Sequence, residues 1–232
     1  LVKPIMKTLL EFFTIHYIKK KKYQNGQECY FNLKVGPKKV TLKKKVILMS
    51  KFQETDQTIQ QAFFKVLAAE PFETITINKI CSEAKISRTT FYRHYMDKYA
   101  LLSKVNHAFS SALAAYLQRR IHQTNIADTL VLIAKYLSTN AKPISDLLRV
   151  HTPESDLSAS FQKIFHAKFA RYIDYELSKG AVTAFPVAYL IELYLAIAMV
   201  FLSYSLKKGL DVAVVQSLND FQKQIFTEKS EN

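Results

Sequence analysis

The polar and aromatic residues between Ser87 and Met96 have the chemistry to bind nucleic acid. They offer two guanidinium groups, two hydroxyls, a phenol and an imidazole, from Arg88, Thr89, Thr90, Tyr92, Arg93 and His94. Such groups bind phosphate oxygens and base edges, and no carboxylate in this run would repel phosphate. Taken singly, each residue is better explained without DNA: Tyr92 by half-buried packing, His94 by a solvated surface and Thr90 by a helix cap. Their combined spacing favours a contact with DNA.

Two short helices joined by a tight turn would position these side chains. Ser87 can cap the second helix, in which Phe91 and Tyr95, four residues apart, form the buried side. The polar residues then lie on the opposite, exposed side. The first helix begins after Thr76, a typical N-cap, and its apolar face is made of Ile77, Ile80, Cys81 and Ala84. This is the arrangement of a helix-turn-helix with its recognition helix.

Over these residues the sequence resembles the DNA-binding domain of TetR-type transcriptional regulators. More than ten positions match the family pattern at its own spacing: Thr76, Ile80, Ala84, Ile86, Ser87, Phe91, Tyr92, Tyr95, Lys98, Leu101 and Leu102. One position departs, because the turn glycine of the family is replaced by Lys85. If the left-handed backbone is kept there, a non-glycine residue costs about 1 kcal/mol. The Lys85 ammonium group would lie near DNA phosphate.

The resemblance implies a homodimer that inserts one recognition helix per subunit into the major groove of double-stranded DNA. The operator would be palindromic, with half-sites separated by about one helical turn or more. Arg88, Thr89 and Thr90 would reach bases or nearby phosphates, and Tyr92, His94 and Lys98 would hold the DNA backbone. The full predicted DNA-binding set is Thr76, Lys85, Ser87, Arg88, Thr89, Thr90, Tyr92, His94 and Lys98. The expected role is that of a repressor released or modulated by an unknown small molecule.

The basic charge of the chain is concentrated near its N-terminus. The formal net charge of the 232 residues is +14; residues 1–48 carry +10, residues 49–120 carry +4, and residues 121–232 are neutral overall. Because the C-terminal half is neutral, the total charge is weak support for DNA binding. The prediction of DNA binding therefore rests on the helix-turn-helix pattern.

Residues 1–48 are predicted to be a basic leader outside the functional fold. In a signal peptide positive charge precedes the apolar run, whereas Lys19 to Lys22 follow an apolar run that is also too short to cross a bilayer. We expect Met49 to be the natural start; the alternative is a basic arm that adds phosphate contacts. Residues 49–98 would then form the helix-turn-helix DNA-binding domain and residues 99–232 a helical effector-binding and dimerisation domain.

The fold is predicted to be all-α: an N-terminal three-helix DNA-binding domain followed by an α-helical ligand-binding and dimerisation domain. Helix one should run from about Thr55 to Ala69, and helix four from Lys98 to about His122, linking the two domains. The later helices, bounded by prolines and glycines, are placed at Ile126–Thr139, Pro143–Val150, Leu157–Lys179, Pro186–Lys207 and Val212–Thr227.

The segment from Ala188 to Leu206 is apolar nearly all round. A transmembrane span is one interpretation, but Glu192, several tyrosines and two serines argue against it. A helix buried by its own domain and by a partner subunit is favoured. By resemblance to the TetR family, the helices Pro186–Lys207 and Val212–Thr227 would form the homodimer interface, and no membrane partner is expected.

The C-terminal part holds aromatic residues that could line an effector pocket. The candidates are Tyr136, His151, Phe165, Phe169 and Tyr172. Aromatic residues at helical spacing are more often core, and that alternative stays open here. His151 and His166 have no partner at ligand spacing, so we predict no metal site and no cofactor.

Two other classes of protein were weighed against a DNA-binding regulator. An enzyme or a helical small-molecule-binding protein without DNA binding finds little support, because the four glycines make no phosphate loop and no catalytic motif occurs. A membrane-surface protein would use the basic leader and the apolar segment at 188–206. The two cysteines, Cys29 and Cys81, are unpatterned, which fits a reducing cytoplasm and a core role for Cys81.

Overall fold

The structure, a computed structural model, describes residues 42–120 and 126–225 of the chain. The chain divides into two units, Leu1–Ser50 and Lys51–Asn232. Of the first unit only residues 42–50 are described, as part of a helix. The predicted leader at 1–48 therefore lies almost wholly outside the described residues, and its role stays a prediction.

Three helices form the helix-turn-helix region. Helix α1 covers Leu42–Ala69, a 3₁₀ turn covers Phe72–Thr74, α2 covers Ile77–Ala84 and α3 covers Arg88–Tyr92. Helix α3 has 5 residues, far too few to be stable alone. It is held by a shared apolar core, to which these helices and the turn contribute Ile59, Phe63, Phe72, Ile80 and Phe91.

The remaining helices form a bundle. They are α4 at Lys98–Arg120, α5 at Ile126–Thr139, α6 at Ala141–Leu147, α7 at Leu157–Ser178, α8 at Val187–Lys208 and α9 at Val212–Ile225. Helix α4 packs against α5 and α7, while α8 packs against α5, α6 and α7. Helix α9 packs against α5. Because α4 begins next to the recognition helix and packs along the bundle, it joins the two parts of the fold.

The all-α prediction is confirmed. Residues 42–120 and 126–225 contain no strand, and their β pairing is limited to an isolated bridge between His151 and Asp156. Helix α5 has the predicted bounds, and α6, α7 and α8 begin and end within three residues of theirs. The predicted ends at His122 and Thr227 lie outside the described residues.

Helix α1 differs most from its prediction. It begins at Leu42 rather than near Thr55 and ends at Ala69 as expected. Residues 42–54 contain neither glycine nor proline and include four lysines, so nothing in the sequence stops the helix there. The apolar periodicity used for the prediction locates the part of a helix that packs, not the part that continues beyond the core.

Helix α8 carries the apolar segment noted in the sequence. Within the described residues it is the one helix long and apolar enough to cross a membrane by length and composition. In the structure it is a packed member of the bundle, yet only 22% of its most apolar window is buried inside the subunit. An apolar surface therefore remains exposed on α8.

Candidate nucleic-acid interface

Side-chain caps begin both helices of the helix-turn-helix. At the start of α2, Thr76 Oγ1 accepts a hydrogen bond from the Lys79 N–H at 3.3 Å. At the start of α3, Ser87 Oγ accepts one from the Thr90 N–H at 3.1 Å and lies 2.9 Å from the Thr90 hydroxyl. The caps predicted at Thr76 and Ser87 are confirmed. Both residues are exposed, and their contact with DNA stays a prediction.

The turn between α2 and α3 keeps a left-handed backbone at Lys85. Its φ is 54° and its ψ is 45°, and it is the only residue other than glycine with positive φ in the described part of the chain. The Lys85 N–H donates to Ser82 O at 3.2 Å and the Ile86 N–H to Cys81 O at 3.0 Å, the pairing of a Schellman cap. The family's turn geometry is thus built here on lysine, whose side chain is exposed.

The recognition helix α3 has one buried and one exposed side. Phe91 and Tyr95 are buried as predicted. On the other side Arg88 and Thr89 are exposed, and Tyr92 is 47% exposed. Arg88 Nη2 donates to the Tyr92 hydroxyl at 3.3 Å, and the guanidinium carbon lies 5.9 Å from the centre of the Tyr92 ring. This pairing holds a cation and a phenol together on the acid-free surface.

His94 is not a surface residue, which corrects the prediction that it holds the DNA backbone. Its side chain is only 4% exposed. The ring stacks on Phe52, with centroids 3.9 Å apart, and His94 Nδ1 lies 3.7 Å from Asp56 Oδ1. Burial lowers the pKa of His94; Asp56 opposes this and Lys104 adds to it. The residue follows Phe91 by three positions, so it turns toward the same core that Phe91 occupies.

Lys98 is also committed inside the protein rather than to phosphate. Its ammonium group donates to the carbonyl oxygens of Phe72 at 2.9 Å, Glu73 at 3.0 Å and Ile75 at 3.0 Å. An ammonium group has three N–H donors, so these bonds satisfy it completely. The predicted phosphate contact of the Lys98 side chain is therefore corrected to a structural one. It ties the start of α4 to the carbonyl groups around the 3₁₀ turn.

Sequence reasoning missed the residues on α1 that hold the end of the recognition helix. Asp56 Oδ1 accepts a hydrogen bond from the Tyr95 hydroxyl at 2.6 Å, and Gln60 Nε2 donates to the same hydroxyl oxygen at 3.1 Å. With Phe52 they are spaced four residues apart and share one side of α1. That spacing was a visible signal, but the sequence does not show which residues this side of α1 meets.

Three of the predicted effector residues lie in or beside one aromatic cluster. Phe165 and Phe169 are buried and their rings are 5.9 Å apart. The Phe169 ring lies 5.2 Å from that of Tyr194 on α8, and the Tyr172 ring 6.2 Å from it. These residues pack α7 against α8. Their packing is that of core residues, the alternative to a pocket lining.

The other two predicted effector residues lie apart from this cluster. Tyr136 is half-buried on α5, where its ring is 5.3 Å from that of Tyr116, and burial raises the pKa of its phenol. The His151 side chain is 63% exposed and its Nδ1 lies 2.7 Å from Asp156 Oδ2. His151 is therefore a surface residue of the connection between α6 and α7, and its contact with an effector stays a prediction.

Comparisons with known proteins agree with this geometry. A family model, described as bacterial regulatory proteins, tetR family, matches residues 59–105. These residues include the C-terminal part of α1, from residue 59 to Ala69, all of α2 and α3, and the first turns of α4. No curated protein matches the sequence.

Solved structures share the fold at low sequence identity. Salmonella enterica GusR has a TM-score of 0.57 and 16% identity, covering 81% of this chain and 98% of its own. A TetR transcriptional regulator of Streptococcus agalactiae has a TM-score of 0.53 and 21% identity, covering 79% and 99%. A TetR-family transcriptional regulator of Haemophilus influenzae has a TM-score of 0.53 and 19% identity, covering 75% and 97%. At these identities the likeness shows a common fold, including the helical bundle.

The matched segment is the part that contains both caps, the left-handed turn and the exposed side of α3. Its agreement with the family model was anticipated from the residue pattern between Thr76 and Leu102. Residues 59–105 thus match the model of the tetR family of bacterial regulatory proteins, and the all-α fold around them is the fold of solved TetR-family transcriptional regulators.

Proposed function

We propose that the protein is a cytoplasmic, dimeric transcriptional repressor that binds a palindromic operator and is modulated by a small molecule. The observation that carries the DNA-binding part is the exposed side of α3. Arg88, Thr89 and Tyr92 lie on it, and no carboxylate occurs from Ser87 to Met96. A capped helix with such a side suits the major groove.

Each of these residues has a role that its chemistry suits. Arg88, in the first turn of α3, can reach a base edge, and its two-pronged guanidinium suits the acceptor pair of guanine. Thr89 can contact a base or phosphate beside it. Tyr92, next to Arg88, presents its hydroxyl to the DNA backbone, and Lys85 adds positive charge at the turn. Thr76 and Ser87, the exposed caps of α2 and α3, and the half-buried Thr90 would lie near the same DNA.

The DNA-binding part is tested by selection from a random duplex pool, followed by binding at two salt concentrations. We expect a palindrome to be enriched, with an affinity that falls steeply as salt rises. Tyr92→Ala should remove operator binding while the protein stays folded. The matched control is Tyr175→Ala, because Tyr175 is an exposed tyrosine that also has a cation four residues away, Lys179, at 3.9 Å from its ring centre. Unchanged affinity in Tyr92→Ala would remove Tyr92 from the proposed site.

The dimer part of the proposal is supported by the exposed apolar residues of α8 and α9. Val200 is 69% exposed and Tyr189 56% exposed on α8, and Val212 is 55% exposed at the start of α9. Apolar patches of this kind mark contact sites with another protein or a membrane. A second copy of the chain fits best, because the palindrome sought by a symmetric regulator requires two recognition helices.

Sedimentation of a charge-insertion pair tests this dimer. Val200→Glu would bury a carboxylate in the proposed interface and should give a monomer with weakened operator binding. Leu132→Glu inserts the same charge at an exposed apolar position of α5, where the side chain is 40% exposed, and should stay dimeric. If Val200→Glu also stays dimeric, the interface lies elsewhere.

The effector part of the proposal rests on the family resemblance and on the aromatic cluster between α7 and α8. Phe165 and Phe169 are packed against neighbouring rings, so a ligand would enter by displacing side chains there. We expect a bound effector to raise the melting temperature of the protein and to lower its operator affinity in the same concentration range. A compound that stabilises the protein without changing operator affinity would not be the effector.

A further inference from the structure

One carboxylate, that of Asp56, joins α1 and α4 to the segment that follows the recognition helix. It comes from α1 and accepts a hydrogen bond from the Tyr95 hydroxyl at 2.6 Å. From α4, Lys104 Nζ donates to both carboxylate oxygens, at 3.1 and 2.9 Å. Gln60 Nε2, one turn along α1, donates to Asp56 Oδ2 at 3.1 Å and to the Tyr95 hydroxyl at 3.1 Å. The result is a closed network among α1, α4 and the segment that follows α3.

The carboxylate and the phenol of this network are shielded from solvent, whereas its cation is half exposed. The Asp56 side chain is 14% exposed and Tyr95 is buried, while the Lys104 side chain is 51% exposed. Burial raises the pKa of the Tyr95 phenol, and its hydrogen bond to Asp56 raises it further, so the phenol remains a donor. The Lys104 ammonium also lies 5.2 Å from the centre of the Tyr95 ring. Hydrogen bonds between charged and neutral groups are stronger when shielded in this way.

The recognition helix depends on such contacts for its orientation. Helix α3 has 5 residues and cannot hold its own axis in place. Two buried aromatic residues anchor it, Phe91 within the helix and Tyr95 just beyond its end. Phe91 is held by apolar packing, which has no preferred bond direction, whereas the hydrogen bond of Tyr95 is directional. The Tyr95 end therefore adds a directional restraint on α3, and with it on the reach of Arg88.

We propose that Asp56 is a positioning residue for DNA recognition, which fixes the end of the recognition helix to α1 and couples it to α4 through Lys104. The proposal rests on the proposed function, since it concerns how well α3 is placed on an operator. Asp56 itself faces Tyr95 and Lys104 and is not a DNA contact. Its effect on DNA therefore acts through the placement of other side chains.

The charge change makes Asp56→Asn a discriminating test. Removing a negative charge from a DNA-binding protein should by itself strengthen binding to any duplex. Loss of positioning should do the opposite for the operator alone, because misplaced side chains no longer match base edges. We expect operator affinity to fall about tenfold while affinity for random duplex is unchanged or higher. The matched control, Glu154→Gln at an exposed residue of the connection between α6 and α7, should not lower operator affinity.

The ratio of operator to random-duplex affinity separates positioning from simple instability. A partly unfolded protein would lose both affinities in parallel, so their ratio would stay the same. An unchanged ratio would therefore overturn the proposal. If Asp56→Asn does not fold, as judged by circular dichroism, Tyr95→Phe decides the matter. It removes one hydroxyl group, and we expect a fall in the ratio of about threefold.

A double-mutant cycle tests the coupling to α4. Lys104→Met should lower the affinity ratio in the wild-type background. In the Asp56→Asn background its effect should be about half as large or smaller, because the carboxylate that Lys104 binds is already lost. Equal effects in the two backgrounds would exclude coupling through Asp56. The wild-type protein provides the independent reference. If it selects no duplex, the proposed function fails. If it selects an operator but the affinity ratio of Asp56→Asn is unchanged, only the positioning role of Asp56 is refuted.

Discussion

The segment at 76–98 and the bundle at 126–225 differ in how their structure relates to their sequence. In the first, Thr76 and Ser87 cap two helices, and Lys85 makes the turn between them. The exposed side of the second helix follows directly from these local features. In the bundle the helices begin and end at local signals too, but the chemistry of any site depends on side chains from several helices. A function that one short segment can display is thus easier to infer than one that requires several elements.

The two regions also differ in what their aromatic residues do. Tyr92 is exposed on α3 and pairs with Arg88, whereas Phe161, Phe165 and Phe169 of α7 are buried in the bundle. The first kind of aromatic residue can serve a ligand directly, and the second stabilises the fold. Changes in the two regions should therefore separate binding from stability.

The largest expected effect is on stability, from Phe161→Ala in α7. Phe161 is fully buried, and removing such a side chain leaves a cavity that lowers the free energy of unfolding by about 3–5 kcal/mol. Chemical denaturation measures this. In the fraction that remains folded, the ratio of operator to random-duplex affinity should be unchanged, because α3 is not altered. Phe161→Leu, which keeps most of the volume, should cost much less. A changed ratio in a folded Phe161→Ala protein would show that the two regions are not separate.

The next effect is on binding, from Arg88→Ala. Arg88 is exposed and supplies the guanidinium on the first turn of α3. Loss of a base contact of this kind costs about 1–3 kcal/mol and relaxes the choice of base at that position, while stability changes by less than about 0.5 kcal/mol. Arg88→Lys keeps the charge but not the two-pronged geometry. Compared with Arg88→Ala, it should therefore bind random duplex more tightly but discriminate among bases little better. An Arg88→Ala protein that binds the operator at wild-type strength and still discriminates among the bases at that position would contradict this.

His94 provides a third comparison, because it belongs to the DNA-binding region yet is buried like a bundle residue. Burial lowers its pKa from the ordinary value of 6.5, and the nearby Asp56 only partly opposes this. Between the folded and unfolded pKa values the unfolded chain holds the extra proton, so stability rises with pH in that window. The stabilising contribution is full above about pH 6.5 and is lost as pH falls below it. Denaturation of His94→Gln across pH 5 to 8 should lack this component, and His166→Gln, at an exposed histidine, should retain it.

The sequence predicted more of the fold than of the site, for physical reasons that particular residues show. Caps and breaks act locally, so Thr76, Ser87 and the helix at Ile126–Thr139 were placed correctly. The direction of a side chain at the end of a short helix depends on what packs against it. His94 and Lys98 were therefore assigned to DNA, although His94 stacks on Phe52 and Lys98 binds backbone carbonyl groups. The network at Asp56 could not be seen, because its partners lie 39 and 48 positions away in sequence.

The smallest expected effect tests the turn, where local sequence and local structure disagree most. Lys85 occupies the left-handed region with φ of 54°, a conformation that costs a residue with a side chain about 1 kcal/mol or more. Lys85→Gly removes this strain but adds freedom to the unfolded chain, so the net gain in the free energy of unfolding should be about 0.5 kcal/mol. Lys85→Asn, which tolerates this conformation better than lysine, should give a smaller gain of the same sign. Both variants lose one positive charge beside the proposed DNA surface, and both should bind random duplex slightly less well. A loss of stability in Lys85→Gly would mean that contacts of the lysine side chain, rather than its backbone, decide the energy of this turn.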